Sequence, residues 1–178
     1  MHQTKNEIPE EIRAAVIELL DGRLADSIDL KTQVKQAHWN VKGPNFIALH
    51  ELFDKIAQSV EEYVDLIAER IVQLGGTARG TARQAAESSS LEEYPLEITE
   101  GRQHVEALSA VMARYGEEIR QALDQTDRAG DQVTTDILIE ISRGMDMHLW
   151  FVEAHLQGAA TEADSAGGSM PRKRVAKS

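Results

Sequence analysis

Five side chains in this sequence have the types and spacing to hold a first-row metal ion: His38, His50, Asp54, Asp65 and Glu69. Imidazole nitrogen combined with carboxylate oxygen suits divalent ions such as Fe(II), and the same donors accept Mn, Zn or Co. Cysteine is absent. That removes thiolate catalysis, disulfides and Cys-based zinc or iron–sulfur centres, and it fits a reducing compartment. No glutamate is followed three positions later by histidine. The Glu-x-x-His pattern that marks a di-iron centre inside a helical bundle is therefore not written here.

The elements that must position these residues read as helices. Aromatics make up 4% of the chain and hydrophobic residues 42%; with plentiful Leu, Ala, Ile, Glu and Gln, this favours helix over strand. Pro9 followed by Glu10 and Glu11 starts a first helix running to about residue 41. Its apolar stripe is Ile12, Val16, Leu19, Leu30, Val34, Ala37 and Val41. Gly43-Pro44-Asn45 ends it, with Asn45 a candidate N-cap for a second helix from about 46 to 74. The inward stripe there is Phe46, Leu49, Phe53, Ile56, Val60, Val64, Ile67 and Ile71, and Gly75-Gly76 is the stop. Residues 77–95 form a long crossover with a short helix near Leu91–Tyr94. A third helix spans about 97–123, residues 124–131 form a turn, and a fourth helix spans about 132–157. The expected fold is all-α: a ferritin-like four-helix bundle with its long connection between the second and third helices. The expected organisation is an N-terminal arm at 1–8, the bundle at 9–157, and a small, polar, disordered tail at 158–178.

Helix geometry makes the metal reading sharper than the residue types do. With His50 set at 0° on the second helix, Asp54 falls at about 40°, Asp65 at about 60° and Glu69 at about 100°. The apolar stripe centres near about −80°, so all four groups face away from the bundle interior. Along the axis, Asp54 and Asp65 are roughly 16 Å apart, and His50 and Glu69 roughly 28 Å apart. One ion cannot span that. An antiparallel copy of the same helix, related by a two-fold axis near Ser59/Val60, places His50 and Asp54 of one chain opposite Asp65 and Glu69 of the other and generates two identical sites. His38, at the far end of its own helix, completes each. A polar dimer interface holding no metal would show the same face.

Thirty acidic residues against nineteen Lys and Arg give a net charge of −11. Such a body attracts cations and repels nucleic acid, although the excess serves solubility equally well. No apolar run approaches the roughly 18 residues of a membrane span, and the first residues lack the apolar stretch of a signal peptide. The expected location is the cytoplasm.

The segment HWNVKGPNFIALHELFD, residues 38–54, closely resembles the Dps family of mini-ferritins. The resemblance continues through DLIAERIVQLGG at 65–76 and SRGMDMHLWFVEAHLQ at 142–157, and covers nearly all of 8–157. It implies that His38, His50 and Asp54 of one subunit, with Asp65 and Glu69 of its two-fold mate, are ferroxidase ligands, two intersubunit sites per dimer. It further implies a hollow dodecamer in which hydrogen peroxide oxidises Fe(II) and ferric product mineralises in the cavity, protecting DNA from oxidative damage. Trp39 resembles a family tryptophan beside the site that intercepts stray oxidising equivalents; interface packing accounts for it as well. Asp131 and Asp136 resemble acids lining an iron-entry pore, and acids at a helix start also favour the dipole. Lys35, one turn before His38, could hydrogen-bond near the site or simply be exposed, and exposure is the favoured expectation. His104, His148 and His155 match no ligand position.

The last residues, PRKRVAKS, carry Arg172, Lys173, Arg174 and Lys177. Twelve copies would put about 48 positive charges on one particle, enough for multivalent, sequence-independent, salt-sensitive DNA binding and nucleoid association. Many relatives bind DNA through such a terminus and some do not. A chiefly nucleoid-compacting scaffold is the alternative function.

Overall fold

The computed structural model describes residues 1–157; the expected tail and its four basic residues lie outside the described residues. Five helices follow in order: α1 Glu10–Asn40, α2 Phe46–Gln73, α3 Ala82–Ser88, α4 Gly101–Ala129 and α5 Gln132–Gln157. The four long ones close a ring in which α1 packs on α2, α2 on α5, α5 on α4 and α4 on α1, while the short α3 lies on α1. Among the described residues there is no strand, and no helix is long and apolar enough to cross a membrane. The core is the apolar stripe of each helix, with Leu20, Leu24, Phe53, Ile56, Ile67, Met112, Tyr115, Ile119, Leu138 and Ile141 fully buried.

The ends of α1 and α2 fall where their breakers put them and α5 spans the expected range, but five expectations fail. The crossover helix is at Ala82–Ser88, not Leu91–Tyr94. The Thr81 hydroxyl accepts from the Gln84 amide and starts it. Residues just after it cannot wind on, because the Ser90 amide donates to the buried Asp26 carboxylate at 2.7 Å. The helix expected at 97–123 begins at Gly101, set by a reciprocal cap between Glu100 and Gln103. It then runs through the segment expected to be a turn, because Ala122 and Thr126 face inward. It stops only at Gly130, in the left-handed region at φ 79°. Phe46 is 39% exposed and does not join the core; it leans on the His50 ring instead. Asn45 makes no side-chain capping bond to α2.

The residues before α1 lie against the end of α2. The His2 amide donates to the Gly75 carbonyl at 2.6 Å, and the Arg13 guanidinium donates to the Leu74 and Ile8 carbonyls at 2.8 and 3.0 Å.

One charged cluster sits inside the bundle. Arg23 on α1 pairs with Asp26 at 2.8 Å and with Glu118 on α4. Beside it the Ser27 and Tyr115 hydroxyls share a hydrogen bond of 2.8 Å. Burial pushes the Asp26 carboxyl up from its ordinary value. The interior acids are thus matched by a guanidinium, as buried charges must be.

Candidate metal centre

The α1–α2 hairpin brings His38, His50 and Asp54 together. The short α1–α2 link leaves His38 at the end of one helix and His50 one turn into the next, and the structure locks them face to face. The rings stack with centroids 3.8 Å apart. The His38 Nδ1 lies 2.8 Å from the His50 carbonyl oxygen, and the His50 Nδ1 lies 2.8 Å from the His38 carbonyl oxygen. A carbonyl can only accept, so each Nδ1 carries the hydrogen and each Nε2 is left with a lone pair. That is the tautomer a metal-binding imidazole needs, and carbonyl partners of this kind are how such rings are oriented. The His38 Nε2 stands 3.9 Å from the Asp54 Oδ1.

Both oxygens of Asp54 have partners within the chain. Lys35 Nζ donates to Oδ1 at 2.8 Å and Gln58 Nε2 donates to Oδ2 at 2.9 Å. The Lys35 hydrogen bond holds the Asp54 carboxyl below the ordinary carboxylate value. Lys35 is therefore not the free surface lysine expected from the sequence; it is partly buried, with its ammonium also 5.7 Å from the centre of the Trp39 ring. Its place one turn before His38 and Trp39 was the only signal in the sequence, and the reach across to α2 appears only in the fold. Gln58, one turn after Asp54, was missed altogether.

Asp65 and Glu69 are exposed on the same flank of α2, and no Lys, Arg or His among the described residues lies within ion-pair distance of either. Within the described residues, no three His, Asp or Glu side chains converge closely enough to hold an ion. The histidine half and the carboxylate half of the candidate set stay separated along one helix. Trp39, at 67% exposure, stands beside the histidine half.

Asp131 does not fit the pore reading. It is 1% exposed. One oxygen accepts from Arg70 at 2.7 Å and from the Thr134 amide at 3.1 Å, and the other from the Thr134 hydroxyl at 2.5 Å. It caps α5 and neutralises a buried arginine, so no free carboxylate remains to meet solvent. Asp136 is exposed. His104 and His148 are buried, and burial lowers both below the ordinary imidazole value; the Tyr94 hydroxyl lies 2.6 Å from the His104 Nδ1.

A family model described as a ferritin-like domain matches residues 17–160. The chain is 46% identical over 159 residues to the DNA protection during starvation protein of Agrobacterium fabrum, covering 88% of this chain and 96% of that protein. Among solved structures, Mycobacterium smegmatis Dps matches with a TM-score of 0.85 at 32% identity, over 89% of this chain and 90% of that one. Dps from Microbacterium arborescens in its high iron form matches with a TM-score of 0.78 at 33% identity, over 86% and 98%.

Proposed function

This chain belongs to the Dps family of ferritin-like proteins, and from that premise we propose that it oxidises and stores iron at sites shared between two copies of itself. His38, His50 and Asp54 of one subunit bind Fe(II) together with Asp65 and Glu69 of a two-fold mate. Two ferrous ions each give one electron to a molecule of hydrogen peroxide, which takes up two protons and leaves as two waters. No hydroxyl radical is released, and DNA nearby is spared. Ferric product then collects in the cavity of a dodecamer. The protein supplies donors and geometry, while the redox chemistry belongs to iron.

The observation that carries this reading is a symmetry within α2. His50 and Glu69 are equidistant from the Ser59–Val60 boundary, and so are Asp54 and Asp65. The exposed apolar pair Ile47 and Val72 is equidistant from it too, and both lie on the same flank. An antiparallel second α2 would set Ile47 against Val72 at each end and close a histidine half-site with a carboxylate half-site between them. Exposed apolar groups at such a spacing favour a partner over water.

The test is subunit complementation. Asp54→Ala and Asp65→Ala proteins are each expected to lose peroxide-driven Fe(II) oxidation. When the two are unfolded together and reassembled, half the pairs are mixed, and each mixed pair regains one complete site; about one quarter of wild-type activity should return. Absence of any recovery in demonstrably mixed particles refutes the shared site.

For the segments, we take 9–157 as the bundle, 1–8 as an arm docked on it and 158–178 as a tail. The tail's Arg172, Lys173, Arg174 and Lys177 would contact DNA phosphates, with cytoplasmic, nucleoid-associated particles as the consequence. Deleting 171–178 should abolish the mobility shift of DNA at low salt, and an unchanged shift rules out the tail as the contact.

A further inference from the structure

A helix end leaves its last carbonyls without partners inside the helix, and the end of α1 finds partners for them elsewhere. The Ala37 carbonyl takes the Val41 amide. The His38 carbonyl takes the His50 Nδ1 at 2.8 Å. The Asn40 carbonyl is met by a third imidazole, that of His104 in the first turn of α4. His104 is 1% exposed. Its Nδ1 is taken by the Tyr94 hydroxyl at 2.6 Å, which leaves Nε2 for Asn40. A carbonyl only accepts, so Nε2 carries the hydrogen and Nδ1 accepts from Tyr94. The Nε2 contact is looser than a well-formed hydrogen bond, and Nε2 has no other partner among the described residues. Alongside, the Lys42 amide donates to the Thr99 carbonyl at 3.0 Å and the Gly101 amide to the Lys42 carbonyl at 3.1 Å. The chain leaving α1 is thus pinned to the chain entering α4.

We propose that His104 is a positioning residue for the metal centre, touching no ion itself. Held by Tyr94 from the crossover, it fixes the Asn40 end of α1. Two residues earlier on that end stand the His38 ring and the His38 carbonyl that orients His50. Without His104, the Asn40 carbonyl is buried with no donor, the last turn of α1 loosens, and both rings lose their register. This rests on the metal-centre reading above.

The test titrates the full-length, assembled protein with Co(II), which the same donors accept and whose visible spectrum follows ligand geometry. His104→Phe fills the space without polar atoms. It should bind Co(II) about tenfold more weakly than wild type, with an altered visible band. His104→Gln can donate to Asn40 and accept from Tyr94, and should recover most of the affinity and the wild-type band. A lower melting temperature in His104→Phe, with Co(II) affinity and spectrum per particle unchanged, makes His104 merely structural and overturns its role. Equal loss in His104→Phe and His104→Gln overturns it too. Should His104→Phe fail to assemble, Tyr94→Phe removes only the hydroxyl and should weaken Co(II) binding about threefold; wild-type affinity there overturns the proposal. Co(II) binding indifferent to both His38→Ala and Asp54→Ala overturns the centre itself, whereas loss in those two with none in His104→Phe overturns the role of His104 alone.

Discussion

Inside the bundle, Asp26 and Glu118 share the Arg23 guanidinium; on the outer flank of α2, Asp65 and Glu69 have no cation within ion-pair distance among the described residues. Asp54 lies between these cases, paired with Lys35 at the surface. The side chains are chemically alike, so what separates them is whether the fold has already supplied the positive charge. A buried carboxylate must be matched inside the chain. A solvated one can wait for a charge that arrives later. In the bundle interior, where a di-iron centre of the ordinary kind would sit, the cation is an arginine and nothing is left to bind. On the flank, no cation among the described residues is paired with Asp65 or Glu69, and both carboxylates face solvent.

The comparison breaks most visibly at Arg23. Arg23→Ala leaves the buried Asp26 without its ion-pair partner, while Glu118 keeps Arg114, and should cost about 3 kcal/mol of stability, read as a lower melting temperature. The flank proposed to hold the metal should be untouched, so Zn(II) affinity per assembled particle should stay at the wild-type value. The opposite substitution, Glu69→Ala on the flank, should leave the melting temperature of metal-free protein nearly unchanged and weaken Zn(II) binding by about 10–100-fold. If both substitutions moved both readouts equally, the division between interior and flank would be lost.

The smallest effect expected is in acid. His148 is buried, its Nδ1 has no hydrogen-bond partner, and burial lowers it below the ordinary 6.5. The unfolded chain therefore takes up a proton as pH falls through about 6.5 while the folded chain does not, and stability falls with pH in that window. His104 acts in the same sense. Asp26, pushed up by burial, acts in the opposite sense. The contribution of His148 is thus isolated by the difference between wild type and His148→Leu, which should lose less stability between about pH 7 and 5 and differ little at pH 8. Parallel curves for the two proteins would assign the acid sensitivity elsewhere.

How much the sequence disclosed follows the same division. The flank was legible because helix periodicity places residues on an exposed face without any knowledge of packing: the positions of His50, Asp54, Asp65 and Glu69 follow from spacing alone. The bounds of α1 and α2 were legible from Pro9, Gly43-Pro44 and Gly75-Gly76. The extension of α4 was not, because residues 124–128 are polar and only Thr126 turns inward; composition suggested a turn where one buried hydroxyl sustains a helix. The α3 helix offered a single buried residue, Ala85, too little for a periodic signal. Asp131 and Lys35 were misread for a common reason. Each is committed to a residue 61 or 19 positions away, and pairing across helices leaves no mark in local sequence.

The crossed imidazoles of His38 and His50 bear on the thermodynamics of uptake. Because each ring is fixed by the other's backbone, neither has rotamer freedom left to lose when an ion arrives. In the proposed shared site the histidine half should thus contribute little unfavourable entropy, and whatever ordering the ion imposes falls on the solvated carboxylates Asp65 and Glu69. Disengaging one ring would loosen the other, so the two histidines should behave in binding as a single rigid donor rather than as two independent ones.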